Sequence, residues 1–167
     1  MGVDKIAARE KELTEYFFQR VSQNPNISLL APKHEDRLPV FSFNLEGLHH
    51  NLAVRILNDR FGIQARGGCS CAGTYGHYLL EIDKKRSEEF MRQITCGAVA
   101  IKPGWIRVSL HPTTSNEELE YVCDSLDALT ANAVLWKEDY QLVDQKYVYN
   151  KGLLDTITPL QDSWFEV

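Results

Sequence analysis

Trp105-Ile106-Arg107-Val108-Ser109-Leu110-His111-Pro112-Thr113-Thr114-Ser115-Asn116-Glu117-Glu118-Leu119 reads as a strand, a turn and the start of a helix. Ile106, Val108 and Leu110 alternate with Trp105, Arg107 and Ser109, so a pleated backbone sends the aliphatic set to one face and the indole, guanidinium and hydroxyl to the other. Lys102-Pro103-Gly104 is a turn signal in front of it. Ser115 followed three residues later by Glu118 has capping-box spacing, in which each side chain accepts the other's free backbone N–H. Leu119, Val122, Leu126 and Leu129 then continue as the apolar stripe of a helix.

The same two periods recur toward the N-terminus. From Leu38 to Leu45 the chain alternates, with Phe41, Phe43 and Leu45 on one side and Val40, Ser42 and Asn44 on the other; Pro39 suits an edge or a first strand position. Gly47 breaks this pattern, and Leu48, Leu52, Ala53, Ile56, Leu57 and Phe61 return to helical spacing before Gly62, which fits a left-handed cap. An amphipathic helix is predicted from Asp4, as its cap, to about Gln23, stopped by Asn24-Pro25-Asn26. Ile27 to Ala31 suits a short edge strand. Ile63 to Arg66 suits an extended segment entering a Gly67-Gly68 turn, and Thr74 to Leu80 and Ser87 to Thr95 suit short helices, the second capped by Asp83 or Ser87. The order gives an α+β fold, a small antiparallel or mixed sheet covered by helices on one face. Residues 1–133 are expected to form the domain. Residues 134–167, with Trp136, Tyr140, Tyr147, Tyr149, Trp164 and Phe165 in no steady period, are expected as an aromatic tail over this domain or another.

The 167 residues, 44% apolar and 25% charged, suit one globular core. No apolar run reaches the roughly 20 residues of a bilayer span, and the first residues lack a secretory pattern, so no membrane partner and a cytoplasmic location are expected. A net charge of −5 without a basic run argues against nucleic acid. Four cysteines, unevenly spaced, do not form a disulfide framework.

Chemistry gathers in Ala65-Arg66-Gly67-Gly68-Cys69-Ser70-Cys71-Ala72-Gly73. Adjacent glycines permit unusual backbone angles and close approach, and an arginine offers a planar fork for a carboxylate or phosphate. The thiols of Cys69 and Cys71 read as nucleophile, metal ligand or small packed residue, whereas Cys96 and Cys123 read as packing. His49, His50, His77 and His111 would complete a zinc site with them, but Cys-x-Cys is not the usual ligand gap and no second ligand pair follows, so no metal is expected. By position alone Arg107 is a solvent-facing strand arginine, and Arg66 fits a surface or a site residue equally.

Together these two stretches resemble the C-terminal small domain of the class V aminotransferase superfamily, fold-type I enzymes that use pyridoxal phosphate, and within it the cysteine desulfurase and selenocysteine lyase-like branch. The resemblance places Arg66, Gly68, Cys71 and Ala72 on the family's loop motif. It implies that Arg107 and Arg66 bind the substrate carboxylate and that Cys71 is the catalytic thiol, taking sulfur from substrate as a persulfide. Gly68 and Cys69 are accessory candidates, Cys69 as a second thiol, a resolving partner or an inert residue. Cys69 and Ser70 depart from the histidine that related enzymes often carry here, which makes the superfamily a firmer assignment than the desulfurase.

None of the nine lysines follows the family's Ser-x-His pattern. The resemblance therefore implies pyridoxal phosphate in an intact protein and none held covalently by this chain. A large N-terminal domain is expected as the missing partner, with a small amino-acid substrate, a homodimer when intact, and no turnover by this chain alone. A non-catalytic module of the same fold, binding a partner or handling thiols or metal, is the alternative.

Overall fold

The computed structural model describes residues 2–34, 36–69, 73–96 and 102–150. Helix α1 (Val3–Val21) leads into strand β1 (Ile27–Leu29), β2 (Val40–Leu45), helix α2 (His50–Phe61), β3 (Arg66–Gly68), α3 (Gly73–Leu79), α4 (Lys84–Thr95), β4 (Trp105–Ser109), α5 (Asn116–Lys137) and a hairpin of β5 (Tyr140–Val143) and β6 (Lys146–Tyr149). The first four strands make one sheet in the order β1-β2-β4-β3, and every pairing in it is antiparallel.

Alternation decides which face is buried. Phe41, Phe43, Leu45, Ile106 and Val108 join Leu13, Phe17 and Val21 of α1, Leu52, Ile56 and Leu57 of α2, and Leu119, Leu126 and Leu129 of α5 in one core. The Phe17 and Phe41 rings stack with centroids 3.9 Å apart. Burying side chains of this size contributes about 1.5–3 kcal/mol each, so this face fixes the sheet on its helices. The fold is thus α+β with a small antiparallel sheet, covered on this face by α1, α2 and α5.

Helix ends follow local chemistry with one exception. Ser115 and Glu118 form the reciprocal capping box, Asp83 caps α4 through Arg86 N–H, and Gly62 closes α2 at φ 67°. Asp4 does not cap α1: Gly2 holds the cap position without a side-chain bond, and Asp4 lies in the first turn, where its charge suits the positive helix end. Pro39 precedes β2, an inner strand, which leaves the missing N–H outside the ladder.

The Gly67-Gly68 pair is not a turn. Both glycines belong to β3, opposite Ile106 and Trp105, and they serve different needs. A Cβ on Gly67 would lie 2.8 Å from Asn51 Oδ1 and 3.2 Å from His50 Cδ2, whereas Gly68 adopts φ +120°, which side chains avoid. Toward the C-terminus, α5 runs on through Val134 to Lys137, and residues 140–149 are an ordered hairpin on α2. Tyr140 is buried, with its hydroxyl 3.3 Å from Asp59 Oδ2, and Arg60 both pairs with Asp139 and lies over the Trp136 ring. Trp164 and Phe165 of the expected tail lie outside the described residues.

Candidate functional site

Antiparallel register sets Arg66 of β3 directly opposite Arg107 of β4, with Ser42 of β2 on the other side of Arg107. All three point away from the core. Along β4 this outer face runs from buried Trp105 through half-buried Arg107 to exposed Ser109.

Two arginines facing each other across a ladder are an electrostatic cost, since opposed residues carry their Cβ atoms about 5 Å apart and like charges there repel. Nothing among the described residues relieves it. Arg9, Arg20, Arg37, Arg55, Arg60 and Arg92 each bond a carboxylate or a backbone carbonyl. Arg66 and Arg107 bond neither, and Arg107 Nε is buried without a hydrogen-bond partner. A buried unpaired donor costs about 1–3 kcal/mol, more when charged. A carboxylate between the two forks would meet both debts with charge-assisted bonds.

The backbone beneath this pair is packed to contact. A Cβ on Gly104 would lie 2.6 Å from Gly68 Cα and 2.9 Å from His50 Cε1, so β3, the turn before β4 and the His50 ring meet without spacing. His50 is 7% exposed, and burial together with the neighbouring His49 ring, 4.1 Å away, pushes its pKa down to about 4. His49 caps α2 by accepting Asn51 N–H on Nδ1, which puts the proton of its neutral form on Nε2. That nitrogen is buried without a hydrogen bond of ordinary geometry, although the Lys102 backbone partly offsets the downward shift that burial gives this ring.

Of the sequence candidates, Arg66, Arg107 and Gly68 come together at the β3–β4 edge. Cys69 follows β3 directly, is half-buried and free, and lines a cavity of about 310 Å³ with His77, Phe90 and Met91. Cys71, with Ser70 and Ala72, lies outside the described residues. His111 serves its own turn, its Nδ1 2.8 Å from Thr113 Oγ1. Among the described residues no three His, Cys, Asp or Glu side chains gather as a metal site. Cys123 is inert to this chemistry, buried in the core with burial raising its thiol to about 11.

The sequence offered His50 only as a zinc-ligand candidate, not as a buried ring packed under β3. Its neighbourhood signalled it only indirectly, through glycines at Gly67 and Gly104 that make room for a ring.

Every described lysine side chain is exposed.

Comparison with known proteins supplies the wider frame. The family model "Aminotransferase class-V" matches residues 1–122. A probable cysteine desulfurase of Halobacterium salinarum is 37% identical over 71 residues, an alignment covering 42% of this chain and 17% of that protein. A probable cysteine desulfurase of Synechocystis sp. is 40% identical over 73 residues, again 42% of this chain and 17% of the relative. The aligned part is thus about a sixth of these relatives' length. The fold is similar to that of an apo cysteine desulfurase from Thermococcus onnurineus, with a TM-score of 0.55 and 23% identity, covering 78% of this chain and 27% of that one.

Proposed function

This chain belongs to the class V aminotransferase family, and from that membership we propose that it is the substrate-gripping small domain of a pyridoxal-phosphate enzyme acting on a small amino acid, of the cysteine desulfurase kind. The family uses pyridoxal phosphate, which supplies an electron sink for bonds at the amino acid's α-carbon. In this reading the cofactor and its lysine belong to a larger N-terminal domain of the intact protein, which works as a homodimer in the cytoplasm.

The observation that carries the reading is the unpaired couple Arg66 and Arg107. Arg107, on an inner strand, donates two hydrogen bonds to the α-carboxylate and fixes the amino acid's orientation; Arg66, at the edge, adds the second fork. The Cys71 thiolate bonds the sulfur of a cysteine substrate as the substrate's Cβ–S bond breaks; carbon keeps the electron pair and takes up a proton, so alanine leaves and the persulfide stays on Cys71. Cys69, two residues before it in sequence, is the candidate accessory thiol.

The test uses the intact, cofactor-loaded protein with cysteine as substrate. Arg107→Gln lowers kcat/KM about 30- to 150-fold, the equivalent of about 2–3 kcal/mol for a lost charged hydrogen-bond pair, mainly through KM. Cys71→Ala abolishes alanine release while substrate still perturbs the cofactor's absorbance. Unchanged KM in the first variant removes the arginine from the site; unchanged alanine release in the second removes the persulfide role.

A further inference from the structure

The His49-His50 pair stands where a second set of unused polar groups collects. A cavity of about 270 Å³ opens between the end of β2, the start of α2, the α3–α4 junction and the turn before β4. Besides His49, whose Nδ1 already caps α2, four nitrogen-bearing side chains line it, Asn44, His50, Arg86 and Lys102, and no carboxylate does. None of the four side chains has a hydrogen bond or an ion pair among the described residues; their recorded contacts are with rings, the Arg86 guanidinium 5.9 Å from the Phe90 centroid and the His50 ring 4.1 Å from that of His49.

His50 gives this collection its meaning. Exposed lysines and arginines without partners are ordinary; His50 differs in being 7% exposed as a residue, with no hydrogen bond among the described residues and ring nitrogens that stay accessible at the cavity it lines. Its ring is fixed in place, with Gly67 on one side and Gly104 on the other. Each of the four groups can donate and two are cations, so a cation is repelled and an oxyanion is matched. The rest of the wall is apolar, including Leu80 and Phe90. A bare inorganic ion would leave that surface facing water, and the volume is at the small end for an organic ligand.

We propose that this cavity binds a small organic oxyanion, its charged end among Asn44, His50, Arg86 and Lys102 and a compact apolar body against Leu80 and Phe90. The charged or titratable groups facing His50 are His49 from its own helix, Arg86 from α4 and Lys102 from the turn. All three disfavour a second positive charge, and a bound anion reverses that balance and draws a proton onto His50.

The proposal is tested on the full 167-residue chain by following the ring nitrogens of His50 in ¹H–¹⁵N spectra during titration. Benzoate is the probe, with benzyl alcohol as its uncharged counterpart and inorganic phosphate as an anion without an apolar body. Benzoate shifts the His50 signals saturably and binds at least ten-fold more tightly than either control. The double variant Arg86→Gln with Lys102→Gln, two exposed positions that leave the circular dichroism spectrum intact, weakens benzoate at least ten-fold. An equal response to benzyl alcohol, phosphate binding as tight as benzoate, or a double variant that binds unchanged overturns the proposal.

Discussion

On the side of the sheet turned toward α1, α2 and α5, Phe41, Phe43 and Ile106 have no exposed surface and Val108 has 4%. On the other side the same strands carry Ser42, Arg107 and, across the ladder, Arg66, with a buried guanidinium nitrogen that nothing among the described residues bonds. One face is chemically complete and the other is not. A fold driven by burial tolerates unpaired charge only where the stability of the first face exceeds the cost of the second. The inner face is therefore where stability resides, and the outer face is where a ligand's contribution is wanted.

The largest effect that would break this contrast is expected at Phe41. Phe41→Ala removes a fully buried ring stacked on Phe17 and costs about 3–5 kcal/mol in urea unfolding, the range for large-to-small core changes. Arg107→Gln, on the neighbouring strand, leaves the unfolding midpoint unchanged or raises it. Should Arg107→Gln unfold the protein as readily as Phe41→Ala, the outer face is structural and the division into a stabilising and a binding face fails.

The next effect separates the floor of the site from both faces. His50 has its folded pKa depressed to about 4 from an ordinary 6.5. The unfolded chain therefore binds more protons between these values, and the stability this neutral ring contributes is present above about pH 6.5 and lost as pH falls toward 4. At 1.36 kcal/mol per unit the loss amounts to roughly 3 kcal/mol. His50→Gln removes the titration, so unfolding measured from pH 7 to 4 should fall less steeply in the variant than in the parent. Parallel slopes would show that the ring is not buried neutral under β3.

How much of this was legible differs between the faces. Phe41, Phe43, Ile106 and Val108 announce their face by alternation, and the Ser115 and Glu118 cap announces α5, because both signals are local. The opposition of Arg66 and Arg107 is not local: it depends on a register between segments some 40 residues apart. Alternation placed Arg107 outward but had no information about what stood across from it. Gly67 and Gly68 read as a turn because glycine is poor in strands, and pairing with β4 overrides that preference. The β5–β6 hairpin escaped for the opposite reason. Its two-residue turn, Asp144 and Gln145, has positive φ at both positions without the glycine that usually marks it. Cys71, the thiol we propose for the site, lies outside the described residues, and only the family resemblance singles it out.

The smallest effect is the sharpest probe of the outer face, because it predicts a sign. If Arg66 and Arg107 repel across the ladder, either single change to Gln relieves the same repulsion, and the double variant gains less than the two singles together. The coupling is small, about 0.2–1 kcal/mol for directly opposed side chains, and shrinks as salt screens it. It is read from four unfolding curves at low ionic strength, repeated at about 1 M salt, where the screening length is about 3 Å. A carboxylate held by both forks turns repulsion into cooperation, so the cycle repeated with an amino-acid ligand on the intact protein should reverse in sign, each arginine then being worth more in the presence of the other. A coupling that is favourable without ligand would mean that the pair is already satisfied, and the outer face would lose its reason to bind anything.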